Sequence, residues 1–396
     1  MKVIKVLRII NRFNLGGPTY NVAYLTKYLS PEFETLLIGG AKDDSEESSD
    51  FILDNLGLKP VIIDEMKRKL SFKNDYIAYK KIKRIIEEFK PDIVHTHASK
   101  AGTLGRLAAK SCGVKVLVHT FHGHVFHSYF GKLTTSFYKN IERYLARHTS
   151  AIIAISEIQK MELVQEHRIC SSEKVSVIPL GFDLTKFQTN QEEKRILFRT
   201  KYDLDEDEIA ISIIGRVVPV KNHILFLEGL KIVSQKSTLR IRAFIVGDGE
   251  ERKKIESKAS ELKIPFVREG ERYEKKLLTF TSWIKEVDIV LAGSDIIALT
   301  SFNEGTPVSL IEAQAANKPI VSTNVGGIEN VVIPDKTALL CESYNVEQFS
   351  NQLLKLIESP ELRSDMGQLG WEHVKKKYHY ERLVNDVENL YRRLLK

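Results

Sequence analysis

Short apolar runs alternate with helical patterns of roughly ten residues along almost the whole chain, and this alternation restricts the fold more than any other feature. In the first half, β-branched runs predict strands, and the segments between them have the apolar spacing of helices. The predicted strands are 3–10, 34–40, 59–64, 92–97, 114–123, 150–156 and 174–181. Strands that alternate with helices predict a mostly parallel sheet that is covered on both faces.

The alternation breaks once, near the middle of the chain. Pro179, Gly181 and a polar stretch interrupt it, and strands and helices begin again at 209–217. We therefore predict an α/β fold with two Rossmann-like domains facing across a cleft, residues 1–183 and 184–375. The amphipathic segment 376–396 is predicted to be a helix that returns towards the first domain. Ligands of open parallel sheets bind beyond the carboxyl ends of the strands, so those loops are the candidate sites.

Composition excludes several other classes of protein. The 396 residues are 43% hydrophobic and 28% charged, which is typical of globular domains and argues against disorder. No apolar run reaches the length of a membrane-spanning helix, and basic residues interrupt the start of the chain where a secretory signal would need an apolar segment. The three cysteines are widely spaced and predict neither disulfides nor a metal finger. We expect a cytoplasmic protein.

The most informative motif is SFNEGTPVSLIEAQAAN. Glu304 follows a predicted strand, and seven residues separate it from Glu312. Pro307 suits the first turn of a helix. The amides of residues 305–309 would then lie at a helix N-terminus, which is a natural site for phosphate. Glu312 lies further into the same helix, where its carboxylate could accept hydrogen bonds from sugar hydroxyls.

Two further loops carry groups that suit a diphosphate. In IIGRVVPVKN, Arg216 follows a predicted strand and Lys221 comes five residues later. A guanidinium and an ammonium group at one strand end would hold a diphosphate without a metal ion. In NLGGPT, Gly16 and Gly17 let the backbone approach a ligand closely. Glycine pairs are common in turns, so this second signal is weak by itself.

Together these motifs resemble the retaining glycosyltransferases of family 4, which have the GT-B fold, and the resemblance extends over essentially the whole chain. EGTP with its second glutamate is the most specific match. GRVVPVK is similar to the phosphate clamp of that family, LGGPTYNVAYLTKYL to its first glycine loop and helix, and VHTFHGH to its strand-end histidine.

The resemblance assigns roles to individual residues. The diphosphate of the donor would be held by Arg216 and Lys221 with the Gly17 amide. Glu304 would face the transferred sugar as a catalytic residue, and His122 would contact that sugar near the anomeric carbon. Glu312 would bind the ribose. The remaining donor-binding positions are Gly305, Thr306, Pro307 and Val308, and the acceptor side would include His97, Lys100 and His124.

The activity implied by the resemblance is transfer of a hexose or N-acetylhexosamine from a nucleotide sugar, with UDP-sugars favoured. The acceptor would be a glycan, a lipid-linked sugar or a small molecule in cell-envelope or polysaccharide synthesis. The chain departs from the family at Ser282, where a glycine is common in the loop that holds the base. That departure leaves the identity of the base open.

No cofactor or metal ion is expected. The acidic run 202–208 is interpreted as the solvated start of a helix, and no DxD motif stands at a strand end. The histidines of HGHVFH have spacing that a metal site could use, but no cysteine stands near them and partners would have to come from elsewhere.

Positive charge is concentrated in one region. Residues 51–150 contain 18 Lys and Arg against 8 Asp and Glu, an excess of 10, whereas the whole chain carries +7. Within this region, 66–90 predicts a basic helix with an apolar stripe at Ile77, Ile82, Ile85 and Ile86. Such a helix either packs on the sheet or lies on an anionic membrane surface. We expect the first domain to contact the inner face of the plasma membrane.

Other functions remain open at this point. A nucleotide-sugar epimerase of the same fold would use the same phosphate clamp without an acceptor. A basic nucleic-acid-binding protein would fit the charge, but no helix-turn-helix or RNA-binding motif is evident. We therefore expect no nucleic-acid partner. A nicotinamide-dependent oxidoreductase is disfavoured, because both halves lack the full glycine fingerprint.

Overall fold

A computed structural model of the protein describes residues 3–14, 16–42, 49–67, 69, 71–122, 132–271 and 274–396. The chain forms two compact units. The first unit comprises Met1–Phe182 together with Lys377–Lys396, and the second comprises Asp183–Lys376.

The first unit is built on a parallel sheet. Its strands, among the described residues, are β1 (Ile4–Arg12), β2 (Phe33–Gly40), β3 (Val61–Ile62), β4 (Ile93–His97), β5 (Val116–Phe121), β6 (Ala151–Ala154) and β7 (Val175–Val177). Their order is β3-β2-β1-β4-β5-β6-β7, and each neighbouring pair is parallel. The helices of this part of the chain are α1 (Gly17–Tyr28), α2 (Asp50–Asn55), α3 (Phe72–Phe89), α4 (Ser99–Ser111), α5 (Lys132–Arg147) and α6 (Glu157–Met161). A π-helical turn, Glu162–Glu166, continues α6.

The second unit repeats the arrangement. Its strands are β8 (Ile209–Ile214), β9 (Ile241–Val246), β10 (Phe266–Arg268), β11 (Leu278–Ser282), β12 (Ile296–Leu299), β13 (Ile320–Thr323) and β14 (Ala338–Cys341), in the order β10-β11-β9-β8-β12-β13-β14. The helices are α7 (Gln191–Lys201), α8 (His223–Lys236), α9 (Arg252–Glu261), α10 (Val287–Gly293), α11 (Val308–Ala315), α12 (Ile328–Val331), α13 (Val346–Glu358) and α14 (Pro360–Tyr378). The predicted α/β class with two Rossmann-like parallel sheets is confirmed.

Both faces of each sheet are buried, which explains the continuous apolar runs of the strands. In β1, Leu7 and Ile9 belong to a core cluster with α3 and α4, whereas Val6 points to a second cluster on the opposite face. Because successive side chains of a strand alternate between faces, both clusters need apolar residues from the same strand.

The C-terminal helix α15 (Tyr380–Leu395) completes the second of these clusters. Leu383, Val387 and Leu390 are buried there. A short parallel bridge joins Phe182 to His379, and a Cβ atom on Gly181 would lie only 2.7 Å from the Cβ atom of Leu383. The last helix of the chain therefore forms part of the core of the first unit.

One detail differs from the sequence interpretation, and a second concerns a helix for which the sequence left two roles open. The acidic run 202–208 is a turn between α7 and β8 instead of the start of a helix. In α3, Ile82 and Ile86 are buried in the core cluster, so the apolar stripe covers the sheet and is not a free face. Periodicity alone cannot distinguish an amphipathic helix that packs on a sheet from one that lies on a membrane surface.

Candidate functional site

In the second unit, two neighbouring strands bring a lysine and a glutamate together. Strands β8 and β12 are paired in parallel, and the loops that follow them carry Lys221 and Glu304. The Lys221 Nζ atom lies 2.6 Å from Oε1 of Glu304, and the Ser301 hydroxyl donates to the same oxygen at 2.5 Å. The structure thus joins residues that are 83 positions apart in sequence.

Backbone hydrogen bonds hold the two loops against each other. The amide of Phe302 donates to the carbonyl oxygen of Val220 at 2.8 Å, and the Thr300 hydroxyl donates to the carbonyl oxygen of Lys221 at 3.1 Å. Lys221 ends a short 3₁₀ turn that begins at Pro219. These bonds hold the Lys221 backbone against the loop that follows β12, and the ammonium group therefore stays near the ends of both strands.

Arg216 lies on the same loop but is exposed. Among the described residues, no carboxylate forms an ion pair with its guanidinium group, whereas Lys221 is already paired with Glu304. The loop therefore presents one cation to solvent and holds a second, partly buried cation beside a carboxylate.

The EGTP segment leads into α11, which begins at Val308 directly after Pro307. Pro307 thus stands one position before the helix, where its missing N–H group also costs nothing. The first amides of a helix have no acceptor within the helix, and here they follow Gly305 and Thr306. A Cβ atom built on Gly305 would meet nothing within 4 Å, so this backbone faces open space.

Glu312 lies inside α11 and is half-buried as a residue. Its carboxyl group is surrounded by protein, and this desolvation raises its pKa to about 7. Lys186 opposes the rise and Asp288 adds to it. A carboxyl group in this environment is close to its titration point at neutral pH, and hydrogen-bond donors from a ligand would favour its ionised form.

A second glycine pair, which the sequence analysis missed, supports the EGTP segment. Gly326 and Gly327 follow β13, and the Gly327 amide donates to the Glu304 carbonyl oxygen at 2.8 Å. A Cβ atom on Gly327 would lie 1.7 Å from the carbonyl oxygen of Gly305. Only glycine allows this approach. The available signal in the sequence was a glycine pair shortly after the β-branched run of residues 320–323.

The loop after β9 packs on the loop that carries Arg216 and Lys221, and the end of β11 contacts this β9 loop. Gly247 has φ +141°, and a Cβ atom there would lie 2.0 Å from the carbonyl oxygen of Gly215. The glycines of VGDG thus allow close packing of two loops. Next to them, Ser282 has φ +58°, a region that favours glycine. Its hydroxyl donates to Asp248 at 3.0 Å. The family's common glycine at this position has a direct conformational reason.

In the first unit, the glycine loop begins α1. Gly17 is the first residue of the helix, and a Cβ atom there would lie 3.2 Å from the Leu180 side chain. Pro18 occupies the first turn. The predicted donor-binding amide of Gly17 therefore stands at a helix N-terminus.

The strand-end histidines lie in a buried cluster of the same unit. His97 ends β4, and its Nδ1 atom is 3.0 Å from Nε2 of His122, which follows β5. Burial lowers the pKa of His122 to about 3 and the pKa of His97 well below its usual value. Both rings are therefore neutral, and one donates to the other.

Of the other two predicted acceptor-side residues, the structure describes Lys100. Lys100, at the start of α4, forms an ion pair with Asp75 at 2.5 Å and donates to the carbonyl oxygens of Lys67 and Lys69 at 2.8 Å each. Lys100 thus links the backbone of Lys67 and Lys69 to the first turn of α3. His124 lies outside the described residues.

Ligands of parallel sheets bind beyond the carboxyl ends of the strands, and cations with a carboxylate at that edge suit transfer of a group from a nucleotide. Residues 194–372 match the family described as Glycosyl transferases group 1, and residues 15–186 match Glycosyltransferase Family 4. The chain therefore belongs to the family 4 glycosyltransferases with the GT-B fold, and it is an enzyme that transfers glycosyl groups.

Individual relatives are similar over most of their length. A UDP-Gal:alpha-D-GlcNAc-diphosphoundecaprenol alpha-1,3-galactosyltransferase of Escherichia coli is 29% identical over 80% of this chain and 78% of its own. The capsular polysaccharide biosynthesis glycosyltransferase CapM of Staphylococcus aureus is 23% identical over 84% of both. Among solved structures, HepE of Anabaena in complex with UDP has a TM-score of 0.80 at 16% identity, covering 98% of this chain and 99% of HepE. That likeness shows the fold.

Within the described parts of the chain, none of the helices combines the length and apolar character needed to cross a bilayer. In the same residues, side chains of His, Cys, Asp and Glu do not gather in threes around a common point where a metal ion could bind.

Proposed function

We propose that the protein is a retaining, metal-independent hexosyltransferase that uses a UDP-sugar donor, with a hexose or N-acetylhexosamine as the transferred group. The acceptor is a glycan or lipid-linked sugar of cell-envelope polysaccharide synthesis. The observation that carries the proposal is the Lys221–Glu304 pair at 2.6 Å beside the first turn of α11.

The chemistry of glycosyl transfer explains this arrangement. As the bond between the sugar and the diphosphate breaks, negative charge grows on the departing phosphate oxygen. Arg216 and Lys221 supply positive charge for that oxygen, and the first amides of α11 add donors. Fixed groups of this kind contribute on the order of 10²–10³ each to the rate. We assign Glu304 to the transferred sugar, Glu312 to the ribose and His122 to the sugar near its anomeric carbon.

The relatives support the choice of donor and acceptor. The E. coli relative is named for transfer from UDP-Gal to a sugar on diphosphoundecaprenol, and CapM is named for capsular polysaccharide synthesis. The HepE structure contains UDP. We therefore propose UDP as the leaving group and a diphosphate-linked lipid sugar as the first acceptor to test.

The direct test is a screen of UDP-sugars with and without an N-acetylglucosamine diphospholipid acceptor. We expect UDP release to depend on the acceptor for one UDP-sugar, and the product to keep the α configuration. EDTA should leave the rate unchanged. UDP release without any acceptor-derived product, or conversion of one UDP-sugar into its epimer, would contradict transfer.

We also propose that the first unit contacts an anionic membrane surface on the cytoplasmic side. Because the apolar stripe of α3 is buried, the contact surface is instead the start of this helix. Phe72 is fully exposed and Tyr76, one turn later, is 60% exposed. The exposed cations around them are Lys67, Lys69, Lys73 and Lys80. Aromatic side chains between lysines are typical of surfaces that bind at the lipid headgroup level.

Vesicle sedimentation tests this surface. We expect binding to vesicles containing phosphatidylglycerol at low salt, weaker binding at high salt and none to phosphatidylcholine alone. The Phe72→Ser/Tyr76→Ser variant should lose most of the binding. Leu197→Ser, which changes a side chain of the second unit that is 52% exposed, is the matched control. Equal binding by both variants would contradict the proposal.

A further inference from the structure

A chain of buried polar side chains crosses the first unit from its C-terminal helix to His122. It contains Arg8 of β1, His95 and His97 of β4, Thr120 of β5 and Tyr391 of α15. Arg8, both histidines and Tyr391 are fully buried, and Thr120 is 2% exposed. The strand pairing places Arg8 beside His95 and Thr120 beside His97, so the group occupies one face of the sheet.

The hydrogen bonds of His95 define its tautomer. The Nδ1 atom of His95 is 2.6 Å from the Tyr391 hydroxyl and 3.1 Å from Nη1 of Arg8. Arginine only donates, so Nδ1 accepts. The proton of the neutral ring is then on Nε2, which donates to the Thr120 hydroxyl at 2.7 Å. Burial, reinforced by the charge of Arg8, lowers the pKa of His95 well below its usual value.

Burial of the Arg8 side chain lowers the stability of the fold. Its guanidinium group is fully buried, and its hydrogen bonds go to His95, to the Tyr391 hydroxyl and to the Leu25 carbonyl oxygen. Within the described residues, no carboxylate forms an ion pair with it. A buried cation without a counterion destabilises a fold. Core packing alone therefore does not explain why an arginine stands in the middle of this strand.

The chain continues from His95 to His122. The rings of His95 and His97 stack with centroids 4.2 Å apart and an angle of 28° between their planes. His97 is hydrogen-bonded to His122 at 3.0 Å, and these two rings also stack, at 5.3 Å. Every side chain between Tyr391 and His122 is thus in direct contact with the next.

We infer that Tyr391 is a positioning residue for His122, acting through His95 and His97. Removing the Tyr391 hydroxyl takes away the short hydrogen bond to His95 Nδ1 and leaves Arg8 as the sole described partner of that atom. The His95 ring then moves, because only the longer contact with Arg8 holds its Nδ1 atom, and the stacked His97 and the bonded His122 follow. The effect on the reaction rests on the proposed role of His122, but the physical coupling does not.

The coupling is tested without substrate in the full-length protein. In protein labelled with ¹⁵N-histidine, long-range ¹H–¹⁵N spectra report the tautomer of each imidazole ring. We expect Tyr391→Phe to shift the resonances of His95, His97 and His122 and to leave the exposed His148 unchanged. Tyr380→Phe, at the start of the same helix, is the matched control. Unchanged His97 and His122 resonances in Tyr391→Phe would overturn the inference.

A second variant approaches His95 from the other side. Thr120→Val keeps the β-branched shape of a strand residue and removes the acceptor of the His95 Nε2–H group. We expect the same three resonances to shift. If Tyr391→Phe unfolds, this variant alone decides, and resonances that stay in place would again overturn the inference.

Kinetics give the functional reading with whichever UDP-sugar the screen identifies. We expect Tyr391→Phe to lower kcat roughly tenfold, on the scale of one buried hydrogen bond, and to leave the KM of the donor unchanged, since the proposed donor-binding cations lie in the second unit. Should no UDP-sugar react, the proposed function fails, whereas shifted histidine resonances would still support the inference.

Discussion

At the residue scale, we expect the pairing of Lys221 with Glu304 to determine how the proposed donor site responds to a nucleotide. The carboxylate holds the ammonium group in place before a diphosphate arrives, at 2.6 Å. It also competes with the diphosphate for the same cation. Both side chains are partly buried, so their interaction is stronger than that of a surface ion pair.

Glu304→Gln separates these two effects. We expect turnover to fall on the order of 10²-fold, because the group that faces the sugar loses its charge. UDP affinity should rise about threefold, since Lys221 is released from its carboxylate partner. Titration calorimetry with UDP measures the second effect, and Lys221→Met, which should weaken UDP binding, is the complementary variant. Loss of UDP binding in Glu304→Gln would show that its role is misassigned.

Glu312 makes stability depend on pH. Its pKa is raised from 4.5 to about 7 in the folded protein, so the native state keeps this proton between these values while the unfolded chain releases it. Native stability is therefore lost as pH rises through this window. We expect Glu312→Gln to unfold at the same urea concentration as the wild type at pH 4 and to be about 1–3 kcal/mol more stable at pH 8. An equal difference at both pH values would contradict the raised pKa.

At the element scale, glycine backbones set the distances between loops that follow different strands. The loop after β13 lies so close to the EGTP segment that a Cβ atom on Gly327 would be 1.7 Å from the Gly305 carbonyl oxygen. Gly305 itself has open space beside it. Of these two glycines in contact, Gly305 has room for a side chain and Gly327 has none.

Alanine at each position tests this difference. Gly327→Ala should destabilise the protein by about 2 kcal/mol or more, because backbone atoms would have to move. Gly305→Ala should change the free energy of unfolding by less than about 1 kcal/mol but weaken UDP binding, since its methyl group enters the space next to the first turn of α11. Urea unfolding and calorimetry measure the two quantities. Similar stability losses in both variants would refute the packing argument.

At the scale of the whole molecule, the two units differ in how the chain builds them. The second unit is continuous in sequence, Asp183–Lys376, whereas the first requires Lys377–Lys396 from the other end of the chain. The returning helix α15 buries Leu383, Val387 and Leu390. Burial of each such side chain contributes roughly 1.5–3 kcal/mol.

Fragments should therefore behave differently. We expect residues 183–376 to unfold cooperatively on their own. Their affinity for UDP should be within about threefold of that of the intact protein, since Arg216, Lys221 and α11 all lie in this unit. Residues 1–182 should be markedly less stable, and a peptide of residues 377–396 should raise their urea midpoint. Circular dichroism and calorimetry provide the readouts. A fragment 183–376 that is folded but does not bind UDP would contradict the placement of the donor site.

The sequence alone determined the class of fold and the family. Alternating apolar runs and helical spacing are local properties, which depend on residues up to four positions apart, and the structure confirmed the two parallel sheets. The same reasoning located Lys221 and Glu304 in loops that follow strands. The glycine pair after β13 had a comparable signal in the sequence, but its partner loop could not be recognised from that signal.

Tertiary structure decided which of these local features meet. It paired Lys221 with Glu304 across 83 residues and Arg8 with Tyr391 across 383. It also placed Ile82 and Ile86 of α3 against the sheet and left Phe72 in solvent. Such contacts depend on the order of strands in the sheet and on which face each helix covers. Periodicity within a segment carries no information on either, because every helix with one apolar face looks alike until its partner is known.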